Sequence, residues 1–170
     1  MKDLIKLSLT SLLMAAVFVG CSSAPKKEAG SDSTGETMID DAATNGEFEL
    51  QGTSDDGTAG PLKTIYFEFD SSALSGVARE NLEANAEALK MAEMVQIQVE
   101  GHADERGGIQ YNAALGERRA RAVKEYLEAL GVSAARIDTV TYGKEKPVAY
   151  GHDEESWAKN RRANFVITAK

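Results

Sequence analysis

Residues 64–168 switch repeatedly between two hydrophobic periods, two residues and 3.6 residues, and this restricts the fold more than any other feature of the chain. Residues 64–69 (TIYFEF) set aromatic and β-branched side chains in alternation, which predicts a strand. Residues 77–91 bring Leu82, Ala86 and Leu89 to one side of a helix. Residues 95–100 alternate again through Val95, Ile97 and Val99, and Gly101 ends the run. Residues 112–130 form a long helical pattern closed by Gly131, a good C-terminal stop. A third strand is predicted over 137–142, a helical turn over 156–160 and a last strand over 163–168. The order βαβα followed by ββ predicts an α+β fold with a helix layer on one sheet.

A chain of 170 residues, 42% hydrophobic and 27% charged, suits one such domain with something added. The addition stands at the N-terminus. Lys2 and Lys6 lead into an apolar stretch over residues 7–19, shorter than the roughly 20 residues of a bilayer span. A basic start, an apolar run and small residues at its end predict a secretory signal peptide over 1–20. Cys21 is the sole cysteine, so it has no internal disulfide partner. Phe18-Val19-Gly20-Cys21 resembles the bacterial lipobox, which implies cleavage before Cys21 and acylation of its thiol. Phe18 stands where leucine is commoner. Ser22, in place of an aspartate, implies sorting to the outer membrane. The alternative is a conventional signal peptide with an incidental cysteine. Each buried acyl CH₂ contributes about 0.8 kcal/mol, so two or three chains anchor firmly.

Residues 22–60 are rich in Gly, Ser, Thr, Ala and acids, with few large apolar side chains (Met38, Ile39, Phe48, Leu50). Such a composition buries too little surface to offset its ordering entropy. It predicts a tether over 21–60, headed by the lipidated cysteine, and a globular domain over 61–170. Lys26 and Lys27 face nine acids in the tether, so most of the net charge of −8 sits there. Solubility accounts for that acidity. The domain is nearly neutral and lacks the basic footprint of a nucleic-acid binder. A tether of this length reaches roughly 35 Å as a coil and about 130 Å drawn straight.

The second helix carries the sharpest local signal. With Leu115 at zero and about 100° per residue, Tyr126, Val123, Leu130, Leu127 and Ala122 make one apolar arc. Arg118, Arg121, Glu117 and Lys124 fall on the other side, where Glu117–Arg121 and Arg121–Glu125 are i,i+4 pairs on a solvated face. Arg119 falls inside the apolar arc, at about 40°. A cation there must be paired or must face a cleft, because an unpaired buried charge costs several kcal/mol. Its side chain points back towards the preceding loop, Gly101-His102-Ala103-Asp104-Glu105-Arg106-Gly107-Gly108. Asp104 is the natural counter-charge. Two readings stay open: a structural Asp104–Arg119 ion pair, or a clamp in which Asp104 takes a ligand ammonium and Arg119 a carboxylate.

His102 reads as a hydrogen-bonder that orients the loop. His152 is the only other histidine and no third ligand has metal spacing, so neither a metal nor a cofactor is expected. Gly107-Gly108 permits a tight turn, but no Gly-Lys-Ser/Thr follows as a phosphate loop requires.

At these residues a resemblance becomes specific. Residues 99–107 (VEGHADERG), then Tyr111, Asn112, Leu115, Gly116, Glu117, Arg118, Arg119 and Ala120, resemble the OmpA C-terminal-like family. Residues 142–147 (YGKEKP), 151–154 (GHDE) and 159–163 (KNRRA) extend the likeness, which covers about 64–170. The resemblance implies a βαβαββ two-layer sandwich with helices on one face of a mixed sheet. It implies non-covalent binding of peptidoglycan through the meso-diaminopimelate of the stem peptide. Asp104 and Arg119 match the recognition pair. Phe69 and Asp70, at the end of the first strand, line the same pocket, with Asn112 and Leu115 at its edge. Arg161 and Arg162 are rim or structural residues. The resemblance further implies tethering of the outer membrane to the wall and binding of the Tol system, notably the propeller protein TolB, on an overlapping face.

Two other classes compete. A wall-degrading enzyme would use His102, Asp104 and Glu105 as acid–base or metal groups, but no Ser-His-Asp order is evident and metal ligands are too few. A periplasmic protein-interaction module would read the Asp104–Arg119 region, with wall binding incidental.

Overall fold

The computed structural model describes residues 48–170. Its elements run β1 (Ile65–Tyr66), α1 (Gly76–Met91), β2 (Gln96–His102), α2 (Ile109–Ala129), a 3₁₀ turn (Ala134–Arg136), β3 (Ile137–Gly143), α3 (Glu154–Asn160) and β4 (Arg162–Ala169). The four strands form one mixed sheet in the order β1-β4-β2-β3. β4 is antiparallel to both β1 and β2, while β2 and β3 are parallel. A parallel pair needs a crossover, and α2 supplies it.

The long helices bury their apolar stripes on the sheet. Leu82, Ala86 and Leu89 of α1 and Ala120, Val123 and Leu127 of α2 meet Ile97, Val99, Phe165 and Ile167 in one core. Ser75 caps α1 by accepting the Ala78 amide at 3.1 Å. α2 lies against β2 at two glycines: a Cβ built on Gly101 would stand 1.9 Å from the Gly116 carbonyl oxygen. Only glycine permits this approach, and it sets the height at which Arg119, one turn further on, meets the end of the strand.

Three expectations are corrected. The strand predicted over 64–69 is only Ile65–Tyr66. The Phe67 amide still donates to the Arg161 carbonyl at 2.9 Å, but the chain then turns, with the Ser71 amide on the Glu68 carbonyl at 3.3 Å. Between β3 and β4 stands α3, starting two residues before the predicted turn because Asp153 caps it by accepting the Ser156 amide at 2.8 Å. The tether does not extend to residue 60. Phe48 and Ala59 are buried, Thr53 bridges Val166, and the Gln51 and Ser54 amides donate to the Ile167 and Phe165 carbonyls at 2.7 and 2.9 Å. The signal segment 1–20, Cys21 and the tether to residue 47 lie outside the described residues.

Candidate functional site

Three chain segments converge at one end of β2: the strap after β1, the loop after β2, and the first turns of α2. Arg119 ties them together. It is fully buried, and its guanidinium donates to three backbone carbonyls: Ser71 at 2.8 Å, His102 at 2.8 Å and Glu68 at 3.1 Å. A guanidinium has five N–H donors. Two are left, one on each terminal nitrogen, which is the fork that grips a carboxylate. Burial lowers the Arg119 pKa to about 10, so it keeps its charge at neutral pH. Among the described residues no carboxylate oxygen lies within ion-pair distance of it.

The direct Asp104–Arg119 pair therefore does not form. Asp104 instead grips Arg106. Its Oδ1 accepts the Arg106 amide at 3.1 Å and Nε at 3.2 Å, and its Oδ2 accepts Nη2 at 2.6 Å. Arg161 Nη1, buried and without a hydrogen bond, stands 3.6 Å from the same Oδ2. Burial pushes the Asp104 carboxyl up, but the hydrogen bonds and charge of Arg106, with Arg161 behind, hold it below the usual aspartate value. Arg106 is itself held between two aromatic faces, 4.1 Å from the ring centres of Phe69 and of Trp157.

Between these groups lies a cavity of about 120 Å³, lined by Phe69, Asp70, Asp104, Arg106, Gly107, Tyr111, Asn112, Leu115 and Arg119. All six residues singled out in the sequence, Asp104, Arg119, Phe69, Asp70, Asn112 and Leu115, line it. Leu115 is 5% exposed and forms an apolar wall. Asn112 holds the loop by donating from Nδ2 to the Arg106 carbonyl at 2.8 Å. Asp70 is exposed, accepts the Tyr111 hydroxyl, and has φ +51°, a left-handed conformation uncommon outside glycine. Such strain is held in place by its surroundings and clusters at functional sites. A wider groove of about 520 Å³ lies on the far side of the strap, beside Tyr66, Val77 and Ala158; there Glu155 and Lys159 neutralise each other at 2.7 Å.

Arg106, Tyr111 and Trp157 are functional candidates that the sequence reading passed over. Arg106 had a signal: an Asp two residues before another residue accepts its amide in an Asx turn, which brings the two side chains together. Trp157 had none, since α3 approaches the loop only through the fold.

His102 departs from expectation. Its ring is 1% exposed and makes no hydrogen bond; it stacks on Tyr142 with centroids 5.7 Å apart, and Nε2 is 3.6 Å from Glu100. Its backbone carbonyl, not its ring, orders the site. Burial lowers its pKa. Glu105 turns to His152 at 2.7 Å and to the Trp157 indole at 2.8 Å, beside another cavity. His102, Asp104 and Glu105 thus face three different surroundings, and their side chains do not converge on one reacting atom.

This geometry defines an α+β domain with a buried arginine at the wall of a small polar cavity. Residues 66–161 match the OmpA family, and the chain belongs to that family. It is 45% identical over 159 residues to the peptidoglycan-associated lipoprotein of Pseudomonas aeruginosa, covering 90% of this chain and 91% of the relative. With that of Pasteurella multocida the identity is 50% over 100 residues, 59% of this chain and 67% of the relative. Among solved structures, the crystal structure of the peptidoglycan-associated lipoprotein from Burkholderia pseudomallei matches with TM-score 0.61 and 46% identity, over 64% of this chain and 93% of that one. The C-terminal domain of Helicobacter pylori MotB, 23% identical, has TM-score 0.60 over 64% of this chain and 86% of that one, and shares the fold.

Proposed function

We propose that the domain grips peptidoglycan non-covalently through the distal amino-acid centre of diaminopimelate, and performs no chemistry on it. One observation carries the reading. Arg119 is a buried cation beside a cavity, with two donors left over and, among the described residues, no carboxylate to pair with. A ligand carboxylate completes it. Asp70 and the remaining lone pair of Asp104 flank the position of the ammonium, and Phe69 and Leu115 pack on the methylene chain. The names of the relatives support peptidoglycan as the polymer.

The rest of the reading follows from the anchor. Cys21 carries the lipid, the outer membrane holds it, and the domain faces the periplasm. Up to residue 47 the tether has a contour of roughly 90 Å. Each contact can be weak, because anchoring keeps the domain beside a polymer bearing many copies of its ligand. Tol proteins such as TolB are partners in this reading. The exposed Phe69 and Tyr111 at the cavity rim make a protein partner seated there a competitor of the wall.

Sedimentation with purified sacculi tests the function. Wild type is expected in the pellet, with Arg119→Lys and Asp104→Asn, both folded, in the supernatant. Both variants pelleting like wild type would refute the reading, and muropeptides released during the incubation would restore the enzyme.

A further inference from the structure

The sheet closes one of its two edges and leaves the other bare. On the β1 side, residues 51–54 continue the edge along β4 through the Gln51 and Ser54 amides. On the far side, β3 pairs with β2 alone. Near the ends of β3, Lys124 Nζ donates to the Ile137 carbonyl at 2.7 Å and the Glu145 amide to the Tyr142 carbonyl at 2.9 Å. Among the described residues, the outward amides and carbonyls of 138–141 have no partner. Bare edges recruit another strand, and are ordinarily blunted by lysine, proline, a bulge or a very short strand. β3 has seven residues, without lysine or proline, and carries Thr-Val-Thr at its middle, a sequence that favours strands. Its one register shift with β2 comes at its last residue, Gly143. A groove of about 210 Å³ runs beside it, lined by Glu117 and Ala120 of α2 and by Thr139, Val140 and Thr141.

The flanks of the edge are self-complementary. On the helix side, Glu117 and Arg121 stand one turn apart, exposed, and pair at 2.6 Å. α2 runs antiparallel to β3: Thr141 Oγ1 donates to the Ala113 carbonyl at one end, and Lys124 reaches Ile137 at the other. A two-fold axis through the middle of the groove, normal to the sheet, therefore lays Glu117 of one copy beside Arg121 of the other, twice. On the opposite face, the same axis sets the exposed Asp138 across from Tyr142, whose ring carries the Lys146 ammonium at 3.5 Å. Thr139 faces Thr141, and Val140 faces itself. Paired strands lie about 4.8 Å apart, which puts the two α2 axes, each above β2 and β3, roughly 10 Å apart, the distance at which helices pack.

We infer that the open edge of β3 takes the β3 of a second copy of this chain, antiparallel about Val140, to give one eight-stranded sheet with the two α2 helices side by side. This goes beyond the proposed function and does not depend on it. Arg119 leaves α2 about 160° round from Glu117, so each copy keeps its cavity open. The two cavities, each at one end of its own β2, face opposite ways. Copies anchored in one membrane meet at a high effective concentration, so the contact need not be tight.

Equilibrium sedimentation of the full chain in detergent is expected to show a concentration-dependent monomer–dimer equilibrium. Glu117→Arg and Arg121→Glu each bring like charges together and should raise the dimer dissociation constant roughly tenfold or more, whereas an equimolar mixture of the two should restore dimers, now mixed. Val140→Cys supplies the second arm. Across the axis its two Cα atoms lie about 5 Å apart, within reach of a disulfide, whereas those of Asp138→Cys lie roughly 14 Å apart. Mild oxidation of the folded full chain is expected to cross-link the first variant to itself and not the second, with wild type, whose sole cysteine is Cys21, as the blank. A full chain that stays monomeric overturns the inference. So do dimers indifferent to both charge reversals, or dimers in which Asp138→Cys cross-links and Val140→Cys does not. A Val140→Cys chain that cross-links in the cell envelope only to a different protein overturns it as well.

Discussion

Asp104 is the residue whose role changes most between sequence and structure. Its position after a strand and before a helix bearing an inward arginine suggested that the two were partners. The Asx geometry gives it to Arg106 instead, and Arg119 is held by carbonyls. The helical wheel places a side chain on an arc but says nothing of which backbone oxygens lie there. The pairing has a consequence for acid stability. Because the folded Asp104 pKa is depressed, the unfolded chain takes up this proton at a higher pH than the folded one. Its contribution is present above the ordinary carboxylate range and is lost as pH falls through the folded value. Asp104→Asn is expected to cost about 1–3 kcal/mol at pH 7 in urea unfolding, with the gap to wild type narrowing towards pH 3. A gap that stays constant contradicts the ion pair.

At the scale of elements, α2 was the most legible. Its apolar arc is buried at Leu115, Val123 and Leu127, and Glu117 and Arg121 pair on its exposed side at 2.6 Å. Periodicity suffices where one face of an element decides its burial. β1 was legible as a strand but not in length, because its end is set by Arg119 drawing the carbonyls of Glu68 and Ser71 inward, a contact 48 residues or more away in sequence. The glycine contact between α2 and β2 was equally hidden. Gly116→Ala would bring a Cβ within 2.4 Å of Thr141 Oγ1 and 2.7 Å of the Gly101 carbonyl oxygen. Lifting α2 to relieve this is expected to cost about 2–4 kcal/mol and to weaken wall binding, since Arg119 moves with the helix. Thermal unfolding and sacculus pelleting read the two effects. An alanine variant as stable as wild type, and pelleting as well, would show that the close approach does not position the site.

At the scale of the molecule, the sequence separated a polar N-terminal part from a folded one but set the boundary too late. Composition misled there because Phe48 and Ala59 are few in sequence yet both buried, and backbone hydrogen bonds to β4 do the rest. A chain beginning at Phe48 should melt with wild type, while one beginning at Pro61 should melt at least about 8 °C lower, having lost that packing. Equal melting of the two would return residues 48–60 to the tether.

A buried cation that reads a carboxylate is the centre of the proposed function. Nitrogen-15 NMR of the Arg119 guanidinium during titration with meso-diaminopimelate tests it most directly. The terminal N–H resonances of Arg119 should shift saturably with the ligand, in step with the amides of Asp70 and Arg106. Saturable shifts elsewhere in the domain with Arg119 unmoved would contradict it.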